Sequence, residues 1–267
     1  MCTSFVVHSD TTLIGMNFDI STRPIKFVLK DDDQLLILQK DNGQFLPAFG
    51  MNSSGTFMNL IMVNPTEEGK YRRGKNCVHI MKLLDVVLSN RVELSQLKDF
   101  LEDNTIVNVP NYSVHSMISG RDRKTFVVEP GRENIDMDSI DRDFVVLTNF
   151  SLKDKMVQAD THVSGDGHDR YRKAYDTLIR NTESFDVETG FALLQETVQH
   201  HGDYPTQLSV MFIPDEHKVY FTLNGEFEKV FAFSFANKQI STSKGFANDS
   251  SSVLSKKGIL LSELETW

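Results

Sequence analysis

The chain is rich in strand-like segments, and two pairs of helix-like segments interrupt them. Apolar residues spaced three and four apart predict one helix pair over residues 76–89 and 93–101. The same spacing predicts a second pair over residues 168–179 and 187–200. Strands, two helices, strands, two helices and strands are typical of two sheets stacked between helix layers. We therefore expect an α+β protein.

The predicted strands are short apolar runs bounded by turn residues. The run over residues 56–63 is nearly continuously apolar, which is typical of a strand buried on both faces. The last segment, residues 236–267, is rich in Ser, Asn and Lys, and we expect it to be a loop-like tail of a single domain spanning residues 1–267. The other predicted strands cover residues 3–8, 12–18, 26–30, 34–39, 112–118, 124–128, 143–148, 206–213, 217–222 and 228–234.

Composition narrows the class of protein. The 267 residues carry a net charge of −9, which argues against a nucleic-acid-binding surface. The basic cluster at residues 70–75 is short, and we expect it to be a solvated loop. No apolar run approaches the roughly 20 residues of a membrane span, and no secretory signal is visible. With only two cysteines, Cys2 and Cys77, we expect a reducing, cytoplasmic location and no disulfide.

Cys2 is the strongest candidate for a catalytic residue. If Met1 is removed, Cys2 carries a thiol and a free α-amine on one residue. The α-amino group titrates near pH 8, so part of it is neutral at pH 7 and can accept the thiol proton. A nucleophile activated by an N-terminal amine is a known catalytic arrangement.

Four motifs in order carry a resemblance to a known family. Over about residues 2–233 the chain resembles the choloylglycine hydrolases, N-terminal-nucleophile enzymes that include bile salt hydrolases and penicillin V acylases. That resemblance implies a four-layer α-β-β-α sandwich of two mainly antiparallel sheets between helices. The motifs are MCTSF followed by GMNFD (residues 1–5 and 15–19), GMN leading to VNP (50–52 and 63–65), VLTNF (146–150) and GDGHDRY (165–171).

The resemblance also implies roles for four further residues. Asp19 would orient the α-amine or thiol, and a tight hairpin would bring it back near Cys2. The side-chain amides of Asn64 and Asn149, each at a strand end, would donate to the oxyanion. Arg170 would balance charge near Cys2 and Asp19 through a bidentate pairing. Ordinary turn and surface positions remain the alternative for each residue.

One position departs from the family pattern. Family members usually read Gly-Arg-Asn where this chain has Gly15-Met16-Asn17. The lost positive charge should leave the Cys2 thiol less acidic than with arginine there. We expect Met16 to be a core residue, and bile-salt or penicillin specificity should not be carried over. Cys77 is interpreted as a small buried apolar residue.

Two other kinds of site are less well supported. A cysteine–histidine protease dyad would need an oriented histidine, and no motif singles out one of the eight. His162 and His168 flank Asp166, but without the ligand spacing of a metal site. We therefore expect no metal and no cofactor.

The resemblance, more than the composition, implies a hydrolase that cleaves a non-peptide linear amide, an N-acyl compound with an apolar acyl arm, through a Cys2 acyl-thioester. An acyltransferase using the same thioester remains an alternative, because an amine can replace water. A third alternative is a non-catalytic family member that binds an amide, which Met16 and any retention of Met1 would favour. The sequence leaves open whether the protein forms a homo-oligomer.

Overall fold

A computed structural model of the chain describes residues 1–137, 142–157 and 166–267. In these residues no helix is long and apolar enough to span a bilayer. The strands are β1 Cys2–His8, β2 Thr12–Asp19, β3 Ile25–Lys30, β4 Gln34–Asp41, β5 Gln44–Asn52, β6 Phe57–Asn59, β7 Ile61–Met62, β8 Cys77–His79, β9 Thr105–Val107, β10 Val114–Ser119, β11 Thr125–Val128, β12 Ile135–Asp136, β13 Phe144–Leu147, β14 Thr206–Ile213, β15 Lys218–Leu223, β16 Val230–Ser234, β17 Gln239–Lys244, β18 Ser251–Val253 and β19 Ile259–Leu260.

Two antiparallel sheets contain most of these strands. The first has the order β13-β1-β2-β14-β15-β16-β17-β18. The second has the order β12-β11-β10-β6-β5-β4-β3-β19, with β7 also paired to β10. The remaining strands, β8 and β9, form a small parallel pair.

The α-helices are α1 Ile80–Leu88, α2 Leu97–Asp103, α3 Leu152–Val157, α4 His168–Asn181, α5 Val187–Glu196 and α6 Leu261–Leu264. The helix pairs α1–α2 and α4–α5 cover the outer faces of the two sheets. The apolar faces of α1 and α2 share a buried cluster with the second sheet, and α4 and α5 contact β1, β2, β13 and β14 of the first. The predicted α-β-β-α sandwich is confirmed.

Aromatic side chains join the inner faces of the sheets. Phe18 of β2 contacts Phe49 of β5 with ring centroids 5.2 Å apart. Phe27 of β3 and Phe221 of β15 lie 4.6 Å apart. Because successive strand side chains alternate between faces, the inward positions of both sheets form one apolar layer.

The predicted elements differ from the structure at several ends. Residues 77–79 form strand β8, and α1 begins only at Ile80, where the His79 side chain accepts the backbone N–H of Lys82 (3.0 Å). The helix predicted over residues 187–200 ends at Glu196. Cys77, expected to be buried, is partly exposed, and it and Cys2 are both free thiols.

The segment predicted as one strand over residues 56–63 is divided after Asn59, at Leu60. Its two parts, β6 and β7, pair with β10 in a common register. At the break, the Asn59 side-chain oxygen accepts the backbone N–H of Met117 (2.8 Å). A side chain has therefore taken a bond that a backbone carbonyl would accept in an unbroken ladder.

The expected loop-like tail is wrong for much of residues 236–267. Strands β17 and β18 extend the first sheet, β19 pairs with β3 of the second, and α6 follows. The polar sequences of β17 and β18 suit strands beside and at a sheet edge, where one side faces water, whereas β19 is an apolar pair at the edge of the second sheet. Phe246 and Trp267 in this segment pack on Phe231, with ring centroids 4.8 and 6.1 Å away.

Candidate active site

The β1–β2 hairpin brings Cys2 and Asp19 together, as its sequence predicted. Cys2 pairs with Phe18 across the two strands, and both Cys2 and Asp19 are buried. The Cys2 Sγ lies 4.0 Å from the backbone carbonyl oxygen of Asp19. The carbonyl rather than the carboxylate of Asp19 is therefore the group that faces the sulfur.

Arg170, in the first turn of α4, bonds to four residues at this point. Its Nη1 donates to the Cys2 carbonyl (2.6 Å) and to Thr3 Oγ1 (2.9 Å), and lies 3.4 Å from Asp19 Oδ2. Its Nη2 donates to Asn149 Oδ1 (3.0 Å). The expected bidentate pairing with the carboxylate is therefore wrong, because only one of the two terminal nitrogens reaches it.

The turn before α4 explains one part of the 165–171 motif. Gly167 has φ +85°, a backbone conformation that side chains disfavour. A Cβ atom there would lie 2.7 Å from Arg170 Nη2 and 3.1 Å from Thr148 Cβ. The absence of a side chain at Gly167 thus leaves room for the guanidinium. Gly165 and His162 lie outside the described residues.

Asn149 follows the end of β13, and its amide is fixed by three contacts. Its Oδ1 accepts the backbone N–H of Cys2 (2.8 Å) as well as Arg170 Nη2. Its Nδ2 donates to the carbonyl of Met62 (2.8 Å). These partners set the orientation of the amide. The NH₂ group expected to be free for an oxyanion is thus held at one of its two hydrogens, and the oxygen of the amide points to Cys2.

No described hydrogen bond links Asn64 to this cluster. It is exposed on the loop after β7. The hydrogen bonds that connect Cys2, Asp19, Asn149 and Arg170 in the described residues do not include it. Met62, two residues earlier, supplies the carbonyl that contacts Asn149.

Two residues that the sequence did not single out bind the Asp19 carboxylate. Thr206 Oγ1 donates to Asp19 Oδ1 (2.6 Å), and Gln199 Nε2 donates to Oδ2 (2.8 Å). Burial raises the pKa of Asp19 to about 6, although these two bonds and the nearby Arg170 charge act in the opposite direction. The sequence pattern predicted a helix through Gln199, and a helical pattern does not indicate a contact between Gln199 and Asp19.

The Cys2 thiol is in an apolar setting. Burial is the largest effect on it and raises its pKa, and the negative charge of Asp19 adds to this. The positive charges of the Met1 ammonium and of Arg170 lower the pKa in part. Met16, fully buried as expected, lies on the same face of the hairpin as Cys2.

Met1 caps the cluster in this structure. Its amino group donates to the Asp19 carbonyl. Because Met1 is still attached, the Cys2 nitrogen is part of a peptide bond here. That nitrogen already donates to Asn149, in the place where an α-amine would lie once Met1 is gone.

The arrangement has no grouping typical of a metal centre. In the parts of the chain that the structure describes, no three His, Cys, Asp or Glu side chains are placed to hold a metal ion. Surface cavities of about 260 and 360 Å³ occur elsewhere, beside Trp267 and beside Arg121. Cys2, Asp19, Asn149 and Arg170 line neither of them.

Comparison with solved structures shows the fold. Over 96% of this chain and 98% of the other, it is similar to a mutant conjugated bile acid hydrolase from Clostridium perfringens, with a TM-score of 0.66 and 19% identity. Penicillin V acylase from Agrobacterium tumefaciens matches over 92% and 93%, with a TM-score of 0.66 and 12% identity. Both have the N-terminal-nucleophile hydrolase fold. No family model and no curated protein sequence matches the chain.

Proposed function

We propose that this protein is an N-terminal cysteine amidohydrolase that cleaves a linear amide of an N-acyl compound. One observation carries the proposal. The nitrogen and the sulfur of Cys2 are both held at the same buried cluster, the nitrogen by Asn149 and the sulfur beside the Asp19 carbonyl. The fold shared with two acyl-amide hydrolases agrees with it.

Removal of Met1 starts the proposed reaction. The Cys2 amide nitrogen becomes a free α-amine, which accepts the thiol proton. The sulfur then attacks the amide carbonyl carbon, and the proton passes to the leaving amine as the carbon–nitrogen bond breaks. An acyl-thioester on Cys2 remains, and water hydrolyses it to the free acid and restores the thiol.

The surrounding residues have distinct parts in this proposal. Arg170 holds the Cys2 carbonyl and supplies a positive charge next to the buried Asp19. Asn149 orients the α-amine through Oδ1, and the second hydrogen of its Nδ2 is the donor for an oxyanion. Asn64 is exposed and forms none of the described hydrogen bonds of the cluster, and we keep its side-chain amide as a second donor for the oxyanion.

An apolar acyl arm is the part of this proposal that rests on the family resemblance. Phe18 and Met16 share the face of the hairpin that carries the sulfur, but both are buried in the core and Phe18 packs on Phe49.

The experiment that tests the proposal detects the acyl-thioester on Cys2. Protein whose N-terminus is verified as Cys2 is incubated with a panel of N-acyl amides, and intact mass spectrometry seeks an acyl adduct on Cys2. We expect turnover in the native chain and in Cys77→Ala, the matched control at the other free thiol. Cys2→Ala should abolish turnover while the melting temperature changes little.

Other outcomes separate the alternatives. A thioester that is consumed only when an amine is added indicates acyl transfer. Binding of an amide without any Cys2 adduct indicates a non-catalytic member, a reading that the raised thiol pKa favours. Turnover by protein that still begins with Met1 would refute the α-amine as the base, and turnover by Cys2→Ala would refute the nucleophile.

A further inference from the structure

A buried imidazole–carboxylate pair lies behind the segment that carries Asn149. His115 of β10 and Glu129, which follows β11, are each fully buried. The His115 Nδ1 and Glu129 Oε1 atoms are 2.9 Å apart. The mechanism proposed above uses neither residue, and buried ionisable groups of this kind are unusual unless they are paired.

The partners of the pair fix where its protons lie. His115 Nε2 is 2.7 Å from the carbonyl oxygen of Thr148, which can only accept, so Nε2 carries a hydrogen. Glu129 accepts from Ser151 Oγ (2.6 Å) and from the backbone N–H groups of Leu152 (2.8 Å) and Lys153 (3.2 Å). A carboxylate that receives three further donors is best satisfied in its ionised form, so the proton of the Nδ1–Oε1 contact belongs to the imidazole.

Bonds to His115 also hold the pKa of Glu129 below its ordinary value, despite the opposing effect of burial. The pair is therefore a buried imidazolium and carboxylate. Leaving either charge without its partner would be costly, so both side chains are held in one arrangement.

The two side chains hold the same short segment from opposite ends. His115 fixes the carbonyl of Thr148, the residue before Asn149. Glu129 fixes Ser151 and the first two residues of α3, Leu152 and Lys153. Asn149 lies between these two attachments, and its Oδ1 is the acceptor for Cys2 N.

We propose that His115 and Glu129 are positioning residues, which act through the backbone on either side of Asn149 to hold its amide against the Cys2 nitrogen. This inference rests on the proposed function, because it assigns the pair to that reaction. Loss of such a supporting contact typically lowers activity by about 10- to 100-fold, since small displacements of a catalytic group have large effects.

Two substitutions of His115 distinguish positioning from mere stability. The amide of Gln in His115→Gln extends to about the place of Nε2 and can still donate to Thr148. The shorter Asn in His115→Asn reaches only the place of Nδ1 and can donate to Glu129 but not to Thr148. Both are uncharged and both should lower the melting temperature.

We expect His115→Asn to lower kcat by about 10- to 100-fold with little change in KM, because the contact to Thr148 is lost. His115→Gln should recover most of that loss. His201→Gln, at an exposed histidine, is the control and should behave as the native protein. Equal kcat values for the Asn and Gln variants would overturn the proposal.

Two readouts need no substrate, so that failure of this inference is distinct from failure of the proposed function. Nitrogen NMR of His115 at pH 7 should show hydrogens on both ring nitrogens, and a bare Nδ1 would overturn the paired charges. The alkylation rate of Cys2 by iodoacetamide should change in His115→Asn but not in His115→Gln, and identical rates in all three proteins would overturn the positioning role. A native Cys2 that forms no thioester while these two results hold refutes the function alone.

Discussion

Asp19 is a buried carboxylate at the centre of the cluster, and protein donors replace the water it has lost. Thr206, Gln199 and Arg170 all contact it. Burial outweighs them, so its pKa is raised to about 6. At pH values below that, Asp19 is protonated and Arg170 loses its counter-charge. The α-amine that serves as the base titrates at about pH 8 and sets a first acid limb of kcat/KM, so we expect this carboxyl group to set a second acid limb near pH 6.

Replacing Thr206 should move that limb. The Thr206 hydroxyl bonds to the ionised carboxylate and so lowers the pKa of Asp19. Thr206→Val removes the bond and should shift this second limb upward by about one pH unit, while the limb of the α-amine stays in place. The measurement is kcat/KM between about pH 4.5 and 9.5, a range that spans both limbs.

Thr222→Val is the matched control for this change. Thr222 is also a fully buried threonine of the same sheet, but its hydroxyl has no hydrogen-bond partner in the described residues. Its removal should leave the second acid limb in place and cost little stability. An identical second limb in Thr206→Val and the native protein would show that Asp19 does not control it.

These contacts show what a sequence can reveal at the scale of residues. Cys2 and Asp19 could be predicted because both lie in a hairpin of adjacent strands. Gln199 and Thr206 could not, because they are 180 and 187 residues from Asp19 in the chain. Their approach depends on the pairing of β14 with β2, which no local pattern encodes.

At the scale of elements, the β1–β2 hairpin depends on a missing side chain. Gly15 pairs with Phe5 across the hairpin, and a Cβ atom on Gly15 would lie 2.1 Å from the Phe5 ring. Phe5 is fully buried and contacts Phe185 edge to face, with centroids 5.7 Å apart. The ring therefore has little room to move away.

Gly15→Ala should accordingly destabilise the protein by about 1–3 kcal/mol, the usual cost of an overpacked core. The comparison is Gly190→Ala in α5. There the new Cβ meets the flexible end of Met211, and alanine favours the helix by about 1 kcal/mol, so we expect a much smaller effect. Urea unfolding measures both, and equal costs would contradict this account.

Elements were predicted best where a pattern is local. The periodicity of α4 gave the start of that helix, and the turn over residues 9–11 gave the first hairpin. The division after Asn59 was missed because it depends on a bond to Met117 in another strand. Strands β17 and β18 were missed because strands near a sheet edge have polar sequences that resemble loops, and β19 was missed because two apolar residues are too few to form a pattern.

At the scale of the whole molecule, the two sheets meet through an apolar layer and through polar contacts, among which those of His8 form a bridge. His8 at the end of β1 contacts Thr12 of the same sheet (3.0 Å) and Thr125 of the other (2.9 Å). Burial, together with the nearby charge of Arg123, lowers the pKa of His8 to about 4. The neutral ring is thus the form that the folded protein holds.

This bridge makes stability depend on pH in a known direction. Between pH 4 and 6.5 the unfolded chain binds a proton at His8 that the folded protein does not, so the contribution of His8 to stability falls as the pH is lowered. Asp19 acts in the opposite direction over the same range, because its folded pKa is raised and the folded protein binds the additional proton. The pH dependence of the native protein's free energy of unfolding therefore shows only the difference between these two contributions.

Comparing the native protein with His8→Gln isolates the histidine, since Asp19 and every other carboxyl group are common to both. The free energy of unfolding of His8→Gln, relative to the native protein, should rise by about 2–3 kcal/mol between pH 7 and pH 4.5. Gln keeps a hydrogen bond to one threonine and has no charge to bury at the lower pH. Urea unfolding at the two pH values measures this difference. A constant difference would mean that His8 is protonated in the folded state and that the two sheets are not joined through a neutral ring.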